Sequence, residues 1–139
     1  MQNESCLFCQ IANHTIPSQI FYEDEKTVAF LDIAAVSKGH TLIIPKNHAE
    51  NLSANSEEDA VAIMRTLWKI APVILKTLGA TGYNLGMNNG KDAGQEVMHT
   101  HLHVMPRYQG IERSFKRLSP ADFELADVAK ELQAAFKNL

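Results

Sequence analysis

The stretch MHTHLHVMPR, Met98 to Arg107, sets histidine at every second position of an apolar run: His99, His101 and His103. Period two is the period of a strand, in which residues two apart share a face and lie roughly 6.5–7 Å from one another. The spacing predicts a strand closed by Pro106, with the three imidazoles on one face and Thr100, Leu102 and Val104 on the other. Exposed strand faces usually carry Thr, Lys or Glu, so a merely solvated face is a poor account of three rings in a row. Two accounts stay open. At most two of the rings share a metal ion, because three consecutive ones reach too far to converge on it. Alternatively the rings divide the work, one as nucleophile or ligand and a neighbour as acid or base, each oriented through its other ring nitrogen.

Outward from that strand, QIFYE and TVAFLD read as a hairpin around DEK, and Thr41 to Ile44 as a third strand stopped by Pro45. The clearest helix runs from Ser56, as N-cap, to a Gly79 terminator. Its periodicity predicts one buried stripe of Ala60, Met64, Leu67, Ala71, Ile74 and Leu78, with a kink at Pro72. GYNLG is a further alternating strand, and SPADFELADVAKELQAAFKN a final helix capped by Ser119 with Pro120 in its first turn. Hairpins with short connections interleaved with helices make the class α+β: an antiparallel sheet of about five strands, one long helix and a C-terminal helix. Residues 1–139 are expected to form one domain, with 107–139 as a tail bearing the last helix.

With 139 residues, 45% hydrophobic and 21% charged, the chain can build a core without help from metal or disulfide. A net charge of -3 argues against duplex nucleic acid as partner, but leaves room for one small anion held by backbone N–H groups. No apolar run approaches bilayer length and no basic leader precedes an apolar core, so a cytoplasmic protein with no membrane partner is expected. The two cysteines, Cys6 and Cys9, form a C-x-x-C pair, which in a reducing compartment is more often a metal or redox pair than a structural disulfide. A thioredoxin-like motif follows a strand, and the five residues before Cys6 are too few for one. His14 has no evident partner and is expected in a solvated loop.

The loop NNGKDAGQE ends just before His99, and its glycines permit conformations in which successive N–H groups point at one spot, a nest suited to phosphate. Here HTHLHVM resembles the His-x-His-x-His signature of the histidine-triad family of nucleotide hydrolases and transferases. CLFCQI, PSQIFYEDEKTVAFLDI, KGHTLIIPKNH and NNGKDAGQEVMHTHLHVMPR are similar to segments of its Hint-like bacterial members, in the same order.

That resemblance implies an enzyme in which His101 attacks the α-phosphorus of a nucleotide, giving a nucleotidyl-histidine that water hydrolyses. It implies that His103 stabilises the phosphate's charge, with His40 as the fourth histidine of the site, and that Asn88, Gly94 and Gln95 bind the phosphate or leaving group. Asp32 would accept the ribose hydroxyls, with Ile33 and Phe8 in the base pocket. The implied substrates are purine nucleoside phosphoramidates or related AMP or GMP conjugates. Dinucleoside polyphosphate hydrolysis, or regulatory nucleotide binding with incidental turnover, are the alternatives. Backbone N–H groups and His103 suffice for phosphoryl electrostatics, so no catalytic metal is expected. Many relatives carry Ser or Thr where this chain has Glu96, which leaves open whether its carboxylate is an acid, a selector of cationic leaving groups, or outward-facing.

The cysteines suit a structural Zn²⁺ with two thiolates and two imidazoles. The galactose-1-phosphate uridylyltransferase branch of the superfamily has a comparable arrangement, and by that likeness Cys6, Cys9, His48 and His99 are the expected ligands. His99 would then go to the metal and His101 and His103 to the phosphate. Relatives are usually homodimers joined by the long helix and an edge strand, so a homodimer is expected.

Overall fold

The computed structural model describes residues 3–119 and 122–137. In chain order its elements are α1 (Leu7–Ala12), β1 (Ile20–Glu23), β2 (Thr27–Leu31), β3 (Thr41–Pro45), α2 (Glu57–Leu78), β4 (Gly82–Gly86), β5 (Leu102–Arg107) and α3 (Leu125–Lys137). The five strands form one antiparallel sheet in the order β1-β2-β3-β5-β4, which makes the fold α+β as the sequence predicts. Every residue of β2 and β3 is buried, because helices cover both faces of the sheet's centre. That is why TVAFL and TLIIP read as continuous runs without polar alternation.

The two faces hold different cores. Ala29, Leu31, Ile43, Leu102 and Val104 pack against Ile63, Leu67, Ile70 and Ile74 of α2 and against Val128 and Leu132 of α3. On the opposite face, Val28, Phe30, Leu42 and Ile44 pack against Phe8, Ile11 and Ala12 of α1. Each fully buried Ile or Leu here contributes about 1.5–3 kcal/mol. The short α1, which the sequence reading did not anticipate, is stable only through this docking, since six residues cannot sustain a helix alone.

Four expectations need correction. The strand of the histidines begins at Leu102 and runs through Pro106 to Arg107. It starts late because ahead of it the Thr100 N–H donates to the Ala49 carbonyl at 3.0 Å, while the carbonyl of Pro45, the last residue of β3, lies 2.8 Å from His99 Nε2. It continues past Pro106 because pairing with β3 has ended at Val104, leaving β4 as the only neighbour to satisfy. In α2, capped by Ser56 and ended by Gly79 in the left-handed region, the buried stripe is Asp59, Ala62, Ile63, Thr66, Leu67, Ile70, Ala71 and Ile74. Met64 is 53% exposed and Ala60 half-buried, because α3 draws the buried face round toward itself. Pro72 falls on the exposed side of the uninterrupted helix, where the only carbonyl it frees can turn to water. The last helix begins at Leu125, since Ser119 and Asp122 close a turn on one another, with Ser119 N–H to the Asp122 carboxylate at 2.8 Å and Asp122 N–H to the Ser119 carbonyl at 2.9 Å. Pro120 lies outside the described residues. Finally, His14 does have a partner, the Glu23 carboxylate at 2.8 Å.

No helix among the described residues is long and apolar enough to cross a membrane. One glycine is forced: Gly39 has φ +85° and a Cβ there would lie 2.5 Å from Leu78 Cδ1, so the β2–β3 loop closes tightly on the end of α2.

Candidate active site and metal centre

Strand register sorts the histidines. Leu102 and Val104 face α2, so His103 points to the α1 face, where it meets His101 with ring centroids 5.1 Å apart. On that face a cleft is lined by Phe8, Asp32, Ile33, His40, Asn88, Gly94, Glu96, His101 and His103, all of them site candidates from the sequence. Phe8 stands edge-on to His101 at 5.1 Å, while Ile33, 89% exposed, sits at the rim.

Backbone contacts fix where each imidazole proton sits. His101 Nδ1 lies 2.7 Å from the His99 carbonyl, which only accepts, so Nδ1 carries the hydrogen and Nε2 keeps its lone pair with no partner among the described residues. Val36 N–H donates to His40 Nδ1 at 3.0 Å, so the neutral His40 ring carries its hydrogen on Nε2. That hydrogen points at His103 Nδ1, 3.0 Å away, which leaves His103 Nε2 as a donor. Burial, with the neighbouring rings adding to it, holds His103 below the usual imidazole range and His40 down to about 4, although Asp32 pulls both upward. Asp32 Oδ1 accepts from Ala34 N–H at 2.8 Å, and Oδ2 lies 3.5 Å from His40 Nε2 and 3.8 Å from His103 Nδ1. With the rings in their neutral forms, the cleft therefore presents one free imidazole lone pair beside one imidazole N–H.

Among the described residues, two clusters have donor atoms close enough for a metal ion: Cys6, Cys9, His48 and His99, and Asp32, His40 and His103. Ring protonation separates them. His99 Nε2 lies 2.8 Å from the Pro45 carbonyl, so it carries the hydrogen and Nδ1 is free to ligate, the outer hydrogen bond usual for a metal-bound imidazole. Nδ1 lies 3.3 Å from Cys6 Sγ and 3.5 Å from Cys9 Sγ, and His48 Nδ1 is 3.5 Å from Cys9 Sγ. Tetrahedral Zn–S and Zn–N bonds of roughly 2.3 and 2.0 Å put sulfur and nitrogen about 3.5 Å apart, so the residues fit Zn²⁺. His40 offers the opposite arrangement: its Nδ1 is held as acceptor by Val36, so ligation through Nε2 would set N–H against N–H. The second cluster is a hydrogen-bonded network.

α1 assembles the first cluster. Cys6 is its N-cap, with Cys9 N–H donating to Cys6 Sγ at 3.5 Å, which aims both sulfurs the same way while Phe8 and Ile11 enter the sheet. Burial pushes the Cys9 thiol up, so a thiolate there requires a cation beside it.

The loop before His99 is braced from within. Gly90 and Gly94 both take positive φ. Gln95, only 5% exposed, accepts from Gly90 N–H at 2.8 Å through Oε1 and donates through Nε2 to the Val97 carbonyl at 2.9 Å and to the Glu50 carbonyl. Its side chain is thus engaged with the protein, off the cleft wall, where the resemblance had it binding ligand. Asn88 and Glu96 do reach the wall, with Asn88 Nδ2 3.3 Å from the Gly94 carbonyl. Phe115, Arg117 and Leu125, from the tail after β5, also line the cleft, and none of the three was singled out from the sequence. The only signal was the basic, aromatic run RSFKR.

The HIT domain family model matches residues 13–110. An uncharacterised HIT-like protein of Methanocaldococcus jannaschii is 42% identical over 128 residues, covering 92% of this chain and 98% of that protein. An adenosine 5'-monophosphoramidase of Schizosaccharomyces pombe is 41% identical over 103 residues, 74% of each. A zinc-bound histidine triad family protein of Mycobacterium smegmatis superposes with a TM-score of 0.86 at 36% identity, covering 96% of this chain and 94% of that one.

Proposed function

The chain belongs to the HIT domain family, and from that premise we propose that it hydrolyses purine nucleoside phosphoramidates or related nucleotide conjugates through a nucleotidyl-histidine on His101. The observation that carries this reading is the pair of backbone locks on the rings. The His99 carbonyl leaves His101 with a lone pair on Nε2, and the chain Val36 to His40 to His103 leaves a hydrogen on His103 Nε2. Nucleophile and donor stand side by side in the same cleft.

In the first step His101 Nε2 attacks the α-phosphorus; the new P–N bond forms as the bond to the leaving group breaks, and the departing amine takes the electron pair and a proton from solvent. His103 Nε2–H donates to a phosphoryl oxygen as negative charge gathers on it. In the second step water attacks the same phosphorus; the new P–O bond forms as the P–N bond breaks, the electron pair returns to His101 Nε2, and the water's proton goes to solvent as the nucleoside monophosphate leaves. Phe8 and Ile33 flank the base, Asp32 takes the ribose hydroxyls, and Asn88, Gly94 and Glu96 line the leaving-group end. Gln95 acts by holding their loop. The phosphoramidase relative of S. pombe supports the substrate class.

Cys6, Cys9, His48 and His99 are proposed to hold a structural Zn²⁺, supported by their donor geometry and by the zinc-bound neighbour from M. smegmatis. Such an ion would tie α1, and with it Phe8, to the segment that leads into His101. A homodimer is supported by the uncovered apolar residues Val61, Met64 and Trp68 of α2 and Tyr83 and Leu85 of the edge strand β4.

The test is His101→Ala assayed against AMP and GMP phosphoramidates beside dinucleoside polyphosphates. Turnover is expected to fall at least about a thousandfold while nucleotide still binds. Undiminished turnover would overturn the reading, and faster cleavage of polyphosphates than of phosphoramidates by the unsubstituted protein would overturn the substrate class.

A further inference from the structure

The cleft assigned above to a nucleotide is poor in positive charge. Its described wall carries two carboxylates, Asp32 and Glu96, and three imidazoles, His40, His101 and His103. Burial keeps His40 and His103 uncharged at pH 7. The whole chain is at -3. A formal positive charge would add to what neutral N–H donors give an anionic ligand, and among the described residues of the wall the one Lys or Arg is Arg117.

Arg117 belongs to the arm between β5 and α3, outside the residues 13–110 matched by the family model. The arm is pinned on either side of it. Arg107 Nη1–H donates to the Ser114 carbonyl at 2.8 Å, and Leu118 N–H donates to the Ala35 carbonyl at 2.8 Å. Ala35 lies in the loop that carries both Asp32 and His40, so the second pin sets Arg117 against that loop. The other nearby guanidiniums are occupied: those of Arg107 and Arg113 lie over the Phe115 ring, 4.9 and 5.6 Å from its centroid. Arg117 makes no hydrogen bond or ion pair with a described residue, so its charge is free to meet a ligand.

We propose that Arg117 is a specificity-determining residue of the cleft, its guanidinium supplying the counter-charge to a nucleotide's phosphate so that nucleotides are preferred to the corresponding nucleosides. This rests on the nucleotide reading of the cleft. Exposed unit charges a few ångströms apart interact weakly in water and are screened by salt, so the effect is expected to be modest and salt-dependent.

The experiment is calorimetric titration of the full chain with AMP and GMP, and with adenosine and guanosine as uncharged probes, at low salt and at 1 M NaCl. In the unsubstituted protein monophosphates should bind more tightly than nucleosides at low salt. In Arg117→Ala the ratio of the two affinities should fall about fivefold at low salt and hardly at all at 1 M. Arg117→Lys should recover most of it, and Arg117→Glu should depress it further. An unchanged ratio in Arg117→Ala, or a fall that persists at 1 M salt, would overturn the proposal, the latter pointing to packing of the arm. Failure of the nucleotide reading looks different: the unsubstituted protein would bind none of the four probes.

Discussion

Acid should destabilise this protein through His40, by an amount the structure sets. His40 is 4% exposed, receives Val36 N–H on Nδ1, and has its pKa pushed from 6.5 down to about 4 by burial. In the unfolded chain the same ring takes up a proton near pH 6.5, so between about 6.5 and about 4 the unfolded state binds more protons and stability falls as pH falls. The loss begins near the unfolded value and levels off below the folded one. At 1.36 kcal/mol per unit it reaches about 3 kcal/mol by pH 4. The assay is urea unfolding at half-unit pH intervals from 7.5 to 4, for the unsubstituted protein and for His40→Asn. Asn Oδ1 sits close to where Nδ1 was, keeping an acceptor for Val36 while removing the titration. The two curves should run parallel above about pH 7 and separate below it, the unsubstituted protein losing about 3 kcal/mol more by pH 4. Curves that stay parallel throughout would refute the claim that His40 is held neutral by burial and the Val36 contact.

Three further outcomes follow from the site. Gln95→Leu strands Gly90 N–H and two carbonyls, and should cost about 1–3 kcal/mol in urea unfolding while raising KM; a loss under about 0.5 kcal/mol would show that the amide braces nothing. Metal analysis of protein never exposed to chelator should find about one zinc per chain, and Cys9→Ser should lower it to under about a tenth; equal zinc in both would remove the ion from this cluster. Trp68→Glu, on the uncovered face of α2, should convert a dimer to a monomer in sedimentation velocity, with the fold retained because the side chain is 79% exposed; a dimer that survives would place the interface elsewhere.

Local pattern was enough for much of the fold. The Ser56 and Gly79 caps and the continuous apolar runs of β2 and β3 are local in sequence, and each became the element it predicted, as did the two-residue period from Leu102 onward, since propensity and burial pull the same way there. The HIT motifs were legible for the same reason: their residues are neighbours along the chain. What failed was decided at a distance. The strand of the histidines starts at Leu102 because the Thr100 N–H is spent on the distant Ala49 carbonyl and the Pro45 carbonyl on the His99 ring, and the buried face of α2 turns toward a helix some fifty residues away. The proton positions that distinguish a nucleophile, a donor and a metal ligand come from the His99 carbonyl, Val36 N–H and the Pro45 carbonyl, backbone groups that no residue pattern announces. Sequence determined which side chains could do chemistry; tertiary structure decided which nitrogen of each ring is free to do it, because that depends on what the folded backbone presents to the other.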